Sequence, residues 1–422
     1  MNAVTRPNRP THEARLDRLA EVAVRVGLGL EPGQELVLTA PLEAVPLVRR
    51  ITEHAYKAGA KLVTTLLSDE QATLARFEHA PDAAFDYAPA WLFEGMATAF
   101  QGNAARMAIG GEDPSLLAGQ DPDRVARANR ARSVAYRPAL ELITSFGINW
   151  NIICYATPSW ARSVFPDLPE DEAVARLWDA IFAASRVDAA DPVAAWAAHN
   201  AALHARTAQL NAKRFAALHF TGPGTDLRVG LADGHLWLGG AEPAKNGIVC
   251  NPNIPSEEVF TTPHLARVEG TVSSTKPLSY QGTLIRDIAV RFEAGRIVHA
   301  AAGSGQAVLE RVLGTDEGAR RLGEVALVPH SSPISASGLL FFNTLFDENA
   351  ASHIALGQAY RTCLEGGTTA TDTELAERGA NTSLIHIDWM IGSGAVDVDG
   401  LGGDGVAEDG ARQPVMRGGE WV

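Results

Sequence analysis

Two spacings of apolar residues alternate along the first half of the chain. Residues 12–29 place leucine, alanine and valine at three- and four-residue intervals, which predicts an amphipathic helix. ELVLTA (35–40) then reads as a strand, 42–59 as a helix and KLVTTLL (61–67) as a second strand, with Gly59 at the turn. Residues 81–102 are helical in pattern, AARMAIGG (104–111) is a further short strand, and a helix over 121–144 leads to the buried strand INWNIICYAT (148–157). Helices follow over 170–186 and 191–214, the second opening at Asp191-Pro192 with proline in its first turn. Strand and helix taking turns in this way predict an open, mostly parallel α/β sheet.

The texture changes near residue 215. AALHFTGPGTDLRVGLADGHLWLGG, ARVEGTVSSTKPLSY, DIAVRF and GRIVHAAAG are short β runs divided by turn residues, and Glu293-Ala294-Gly295-Arg296 reads as a hairpin turn. Helix returns at 305–322. The expected fold class is α/β: an N-terminal open α/β sheet domain over 1–215 and a C-terminal α+β metal-binding catalytic domain over 216–422. For the Gly- and Asp-rich tail, a final strand pair turning at Asp404-Gly405 is preferred to a disordered end, because VMRGGEWV closes on apolar residues.

Several function classes drop out. A net charge of −14 with no basic run gives no electrostatic hold on nucleic acid or an anionic membrane. No apolar stretch is long enough to span a bilayer, and the first residues have no secretory h-region. Cys154, Cys250 and Cys363 are sparse and show no CxxC spacing, which fits free thiols in a reducing cytoplasm. No GxGxxG follows the first strand, the GPGTD turn lacks the lysine and hydroxyl of a P-loop, and Ser331, Ser332 and Ser335 form no nucleophile elbow.

What remains is a set of carboxylates and imidazoles inside apolar runs, where charge is costly unless compensated. Glu257 and Glu258 lie in NIPSEEVFTTP, Glu324 in RRLGEVALVPH, Glu348 and His353 in LFDENAASHIALGQAY, and His386 and Asp388 in SLIHIDWMIGS. On a strand, His386 and Asp388 point to one face, either toward a metal or simply bonded to each other. Glu324 is either solvent-facing or deliberately buried. If 257–258 is extended, its two carboxylates face opposite ways and at most one is a ligand. Glu348 and His353 are five apart and share a site only if a helix starts after Glu348, for example capped by Asn349. That helix would put Tyr360 on the His353 face, as a catalytic phenol or a buried hydrogen-bonded one. Taken together, four carboxylates and two imidazoles are the inventory of a dinuclear hydrolytic centre. Carboxylate with imidazole suits zinc, manganese or cobalt.

EEVFTTPH, VEGTVSSTKPLSY, TDEGARRLGEVALV, SPIS, LFFNTLFDENAASHIALGQAY and HIDWMIGS resemble the thermophilic metallo-aminopeptidase family. The resemblance runs the length of the chain and is densest over 250–395; Ala351 and Trp389 depart from its pattern without touching a ligand. It implies a cytoplasmic homodimer that removes N-terminal residues from short peptides, using a water that bridges two divalent ions of zinc, cobalt or magnesium. Matched motif to motif, the metal ligands are Glu258, Glu324, Glu348, His353, His386 and Asp388. The catalytic candidates are Tyr360, Glu324 as bridging ligand or proton handler, and Glu257 as general base. Two other readings stay open on the ligand set alone: another two-metal amide or ester hydrolase, and a non-catalytic metal-binding dimer.

Overall fold

The computed structural model describes residues 10–280, 283–402 and 412–422. The chain forms two compact units. The first runs to His199 and takes back Ala241–Pro255; the second is Asn200–Gly240 with Ser256–Val422. The single division expected at residue 215 is therefore replaced by three crossings. The returning segment is held by backbone hydrogen bonds: Ile152 N–H donates to Pro252 O (2.7 Å), Ile254 N–H to Ile152 O (3.0 Å) and Asn251 N–H to Gly27 O (2.9 Å). Earlier, from Asn200 onward, the helix Pro192–Lys213 contributes Leu203 and Leu210 to the core of the second unit.

The first unit is built on four parallel strands, β1 (Glu35–Pro41), β2 (Leu62–Ser68), β3 (Ala105–Gly110) and β4 (Trp150–Cys154), in the order β2-β1-β3-β4. Most expected helices are present: His12–Val22 running on as a wider turn over Ala23–Leu28, Val45–Lys57, Ala90–Gln101, Pro122–Thr144 and Glu170–Ala184. The pattern did not disclose Glu70–His79 or Pro158–Val164, which are short helices following strand ends. Val37, Phe93, Met96, Phe100, Ala139, Ile143 and Ile148 pack as one core.

In the second unit, β5 (Ala217–Gly222) and β6 (Thr225–Leu231) form a hairpin through the GPGT turn. After β7 (Glu242–Pro243) and β8 (Val249–Cys250), which belong to the returning segment, come β9 (Val259–Thr261), β10 (Pro263–Ser273), the hairpin β11 (Leu278–Tyr280) with β12 (Thr283–Ile285), and the expected hairpin β13 (Ala289–Glu293) with β14 (Arg296–Ala301). The helix expected over 305–322 is only Gln306–Leu313, ending at Gly314, because the chain is extended again in β15 (Leu322–Leu327). β16 (His353–Gly357), β17 (His386–Met390), β18 (Asp397–Leu401), β19 (Arg412–Arg417) and β20 (Glu420–Trp421) complete the unit.

These strands sort into two main antiparallel sheets. One has eight strands, β14-β13-β10-β6-β5-β18-β19-β20; the other has four, β17-β16-β15-β9. A single buried cluster joins them, with Leu218, Phe220, Val229 and Phe292 from the first and Val325, Leu327, Ile354, Leu356 and Trp389 from the second. The tail thus ends in paired strands; the turn at Asp404-Gly405 lies outside the described residues. No described helix is long and apolar enough to cross a membrane.

Candidate metal centre

Strand alternation builds the site. In the four-stranded sheet Ile354 and Leu356 of β16 point into the core together with their partners Val325, Ile387 and Trp389. The alternate positions of β16 are His353, Ala355 and Gly357, and these share the opposite face with Glu324 and Ala326 of β15 and with His386, Asp388 and Met390 of β17. Ala355 pairs with Glu324 on one side and Asp388 on the other, so a methyl group separates the two carboxylates. Phe260 of β9 pairs with Ala326 and joins this face. Glu258, two residues earlier, arrives on the same side.

A bulge aims Glu324. Leu322 pairs with Leu356 and Glu324 with Ala355, so Gly323 is the extra residue on β15. A Cβ there would lie 2.3 Å from Gln358 O, which leaves room for glycine alone. That same Gln358 carbonyl accepts a hydrogen bond from His386 Nδ1 at 2.7 Å, and the Ala351 carbonyl accepts one from His353 Nδ1 at 3.1 Å. Both imidazoles are thereby fixed with Nε2 facing the cluster, the arrangement that metal-binding histidines use.

The Nε2 atoms meet carboxylates from both directions. His353 Nε2 is 3.2 Å from Glu258 Oε2 and 3.9 Å from Glu324 Oε1; His386 Nε2 is 3.2 Å from Glu324 Oε2 and 3.4 Å from Asp388 Oδ1. Glu258, Glu324 and His353 form one group with ligand atoms within 4.8 Å of one another; Glu324, His386 and Asp388 form a second. Glu324 belongs to both and offers one oxygen to each. Glu258 Oε2 and Asp388 Oδ1 are buried and make no hydrogen bond of good geometry, despite their short distances to imidazole nitrogen. Lone pairs that converge without bonding one another are what a shared cation requires, so the residues fit divalent metal.

The electrostatics agree. Burial first, then Asp388 and Glu258, push the Glu324 carboxyl up to about 7, with His386 pulling the other way. Glu348 is raised well above the usual carboxylate range by burial and then by Glu258 and Asp388. Burial works against charge on His353, yet the adjacent Glu258 carboxylate, with Asp388 and Glu324, lifts it to about 10; His386 rises likewise, chiefly through Asp388. Asp388 falls below its usual value because His386 outweighs the burial that opposes it. Each uncompensated charge here would cost several kcal/mol, whereas a core side chain on the other face returns about 1.5–3 kcal/mol. The site therefore needs positive charge, as protons or as cations.

Tyr360 reaches the cluster by a route that the sequence pattern misplaced. No helix runs through 353–360: His353–Gly357 is a central strand, and Glu348 sits in the short 3₁₀ turn Glu348–Ala350. Good helix formers are overruled here by pairing on both edges of β16. Tyr360 follows the strand, with its ring centroid 4.7 Å from that of His386 and 5.9 Å from that of Phe260. Desolvation and then Glu324, Asp388, Glu348 and Glu258 raise its phenol pKa well above the usual value. Both effects keep the phenol neutral, although 42 % of the residue stays accessible. Accessibility rises from His353 (1 %) to His386 (21 %) and Tyr360, which marks the open side.

Two sequence candidates stand apart. Glu348 lies within the electrostatic reach of Glu258, Asp388, His353 and Glu324 but in neither three-residue group. Glu257 is in neither group as well, although it is as deeply buried as Glu258. Its buried backbone N–H donates to Asn349 Oδ1 at 2.6 Å. Sequence reasoning missed the two carbonyls that orient the imidazoles, which carry no residue-type signal, and the ring of Phe260, which alternation from Glu258 could have placed.

Comparison with known proteins follows the same lines. Residues 12–421 match the thermophilic metalloprotease family, M29. The chain is 58 % identical over 407 residues to aminopeptidase T of Thermus thermophilus, covering 96 % of this chain and 98 % of that protein. It is 46 % identical over 410 residues to aminopeptidase 2 of Geobacillus stearothermophilus, covering 97 % and 98 %. The solved structure of wild-type AmpT from Thermus thermophilus superposes with a TM-score of 0.92 at 56 % identity, over 98 % of this chain and all of that one.

Proposed function

The chain belongs to the thermophilic metalloprotease family, and from that premise we propose how this metal-dependent aminopeptidase works: Glu258, His353 and Glu348 on one side and His386 and Asp388 on the other, with Glu324 common to both, would hold a pair of divalent ions. The observation that carries this reading is the division of Glu324, Oε1 toward His353 and Oε2 toward His386. Bound there, two divalent ions would polarise the scissile carbonyl and bring the pKa of a shared water toward neutrality.

The chain's own residues supply the rest. The neutral Tyr360 phenol donates a hydrogen bond to the carbonyl oxygen as that atom gains charge, a contribution on the order of 3 kcal/mol. Glu348, close enough to feel Glu258, Asp388, His353 and Glu324, would take the proton of the attacking water. Glu257, buried next to Glu258 in sequence, stays the other candidate for that role. A wall of four carboxylates gives a protonated or metal-directed α-amine a place that an internal peptide residue cannot use, which accounts for removal of N-terminal residues only. Assay of Leu-p-nitroanilide beside its N-acetyl form tests this: the free amine is cleaved and the acetylated form is not. Equal turnover of the two would favour a general two-metal amidase.

Substrates are short peptides, and zinc, cobalt or magnesium are the candidate ions. A cytoplasmic homodimer is the proposed working form; three buried cysteines that form no disulfide support a reducing compartment. Light scattering at assay concentration measures the oligomer directly, and a monomeric mass would remove the dimer from this reading.

A further inference from the structure

Four ligands, Glu324, His353, His386 and Asp388, are placed by the sheet ladder itself. Glu258 and Glu348 are not. Pairing between β15 and β9 ends at Leu327 with Val259, one residue after Glu258, and β16 begins at His353, five residues after Glu348. Some other contact must hold these two carboxylates in register with the rest.

Asn349 makes that contact. It is fully buried in the Glu348–Ala350 turn. Its Oδ1 accepts the Glu257 N–H at 2.6 Å, and its Nδ2 donates to Leu345 O at 3.0 Å. Its own carbonyl accepts the Ser332 hydroxyl at 3.0 Å, which fixes the turn from a third direction. One amide side chain thus ties the Ser256–Glu257 peptide group, one residue before Glu258, to the turn that carries Glu348. We infer that Asn349 is the positioning residue for the Glu258 side of the centre, setting the spacing of Glu258, Glu348 and His353 for a divalent ion without touching the ion or substrate. The inference rests on the ligand reading above.

The test is metal affinity, read by chelator competition on purified full-length protein with zinc and cobalt. Wild-type protein is titrated first: fewer than two ions per chain would sink the ligand reading itself, before Asn349 is involved. Given two ions, Asn349→Ala should weaken one of them about 10–100-fold, the usual effect of losing a group that orients ligands, and leave the other nearly unchanged. Asn349→Asp keeps an acceptor for the Glu257 N–H and should recover part of the loss. Val290→Ala, in the core of the eight-stranded sheet, controls for general destabilisation and should lower Tm without altering either affinity. If Asn349→Ala does not fold, Asn349→Ser, which withdraws the acceptor from the Glu257 N–H, takes its place and must show the same loss. Wild-type affinity for both ions in a folded Asn349→Ala or Asn349→Ser protein overturns the inference, as does equal loss in Asn349→Asp.

Discussion

The two faces of the sheet β17-β16-β15-β9 share every backbone hydrogen bond yet have opposite chemistry. Val325, Leu327, Ile354, Leu356 and Trp389 fill one face and merge with the core, and Ile387 is buried on the same face. Glu324, His353, His386 and Asp388 stand on the other, one residue along in each case. Alternation lets a rigid apolar layer hold ionisable groups to within hydrogen-bonding tolerance of one another. The apolar face supplies stability, and the charged face draws on it.

If that division holds, substitutions on the two faces should separate cleanly. The largest effect belongs to Glu324→Gln, which removes the shared carboxylate: peptidase activity should fall to background and bound metal to one ion or none, counted by elemental analysis, while circular dichroism stays native. Near-normal turnover would refute the bridging role. Leu327→Ala, on the other face, should cost about 2–5 kcal/mol of stability in chemical denaturation, with kcat and metal content of the folded enzyme kept; a loss of metal would show that the faces are not independent. Tyr360→Phe should lower kcat by about 3 kcal/mol of barrier, two orders of magnitude or more, with both ions still bound. Release of metal by that variant would make the phenol a structural group.

The smallest effect is in pH. In metal-free protein the Glu324 carboxyl titrates near 7 against a usual 4.5, and His353 near 10 against 6.5. Folded protein therefore holds protons that the unfolded chain has released. The stabilisation from each group is complete below its unfolded value and is lost as pH rises, over 4.5–7 for Glu324 and 6.5–10 for His353. Cations compete for these groups, so the rise in Tm on adding zinc should grow from pH 5 to pH 8, measured with and without chelator. A rise independent of pH would mean that protons and metal do not share the site.

Sequence reading reached the charged face where alternation was intact. HIDWM placed His386 and Asp388 on one side of a strand, and the structure has them there. It failed at IALGQAY, because alanine, leucine and glutamine favour a helix when isolated and the decisive pairing comes from residues about 27 to 37 positions away. Asn349 was read as a helix cap from its type; it is instead a buried tie between two loops, a role set by long-range contact. The same limit explains the returning segment 241–255, whose partners at Gly27 and Ile152 are distant in sequence.

Ala355 is the most inert residue of the charged face, and capacity at this centre depends on it. Its side chain ends at the methyl, so no bulky group stands between its ladder partners Glu324 and Asp388. A valine or leucine at that position would keep every acid and imidazole yet close the space they surround. Selection for catalysis here must guard a vacancy as strictly as a ligand.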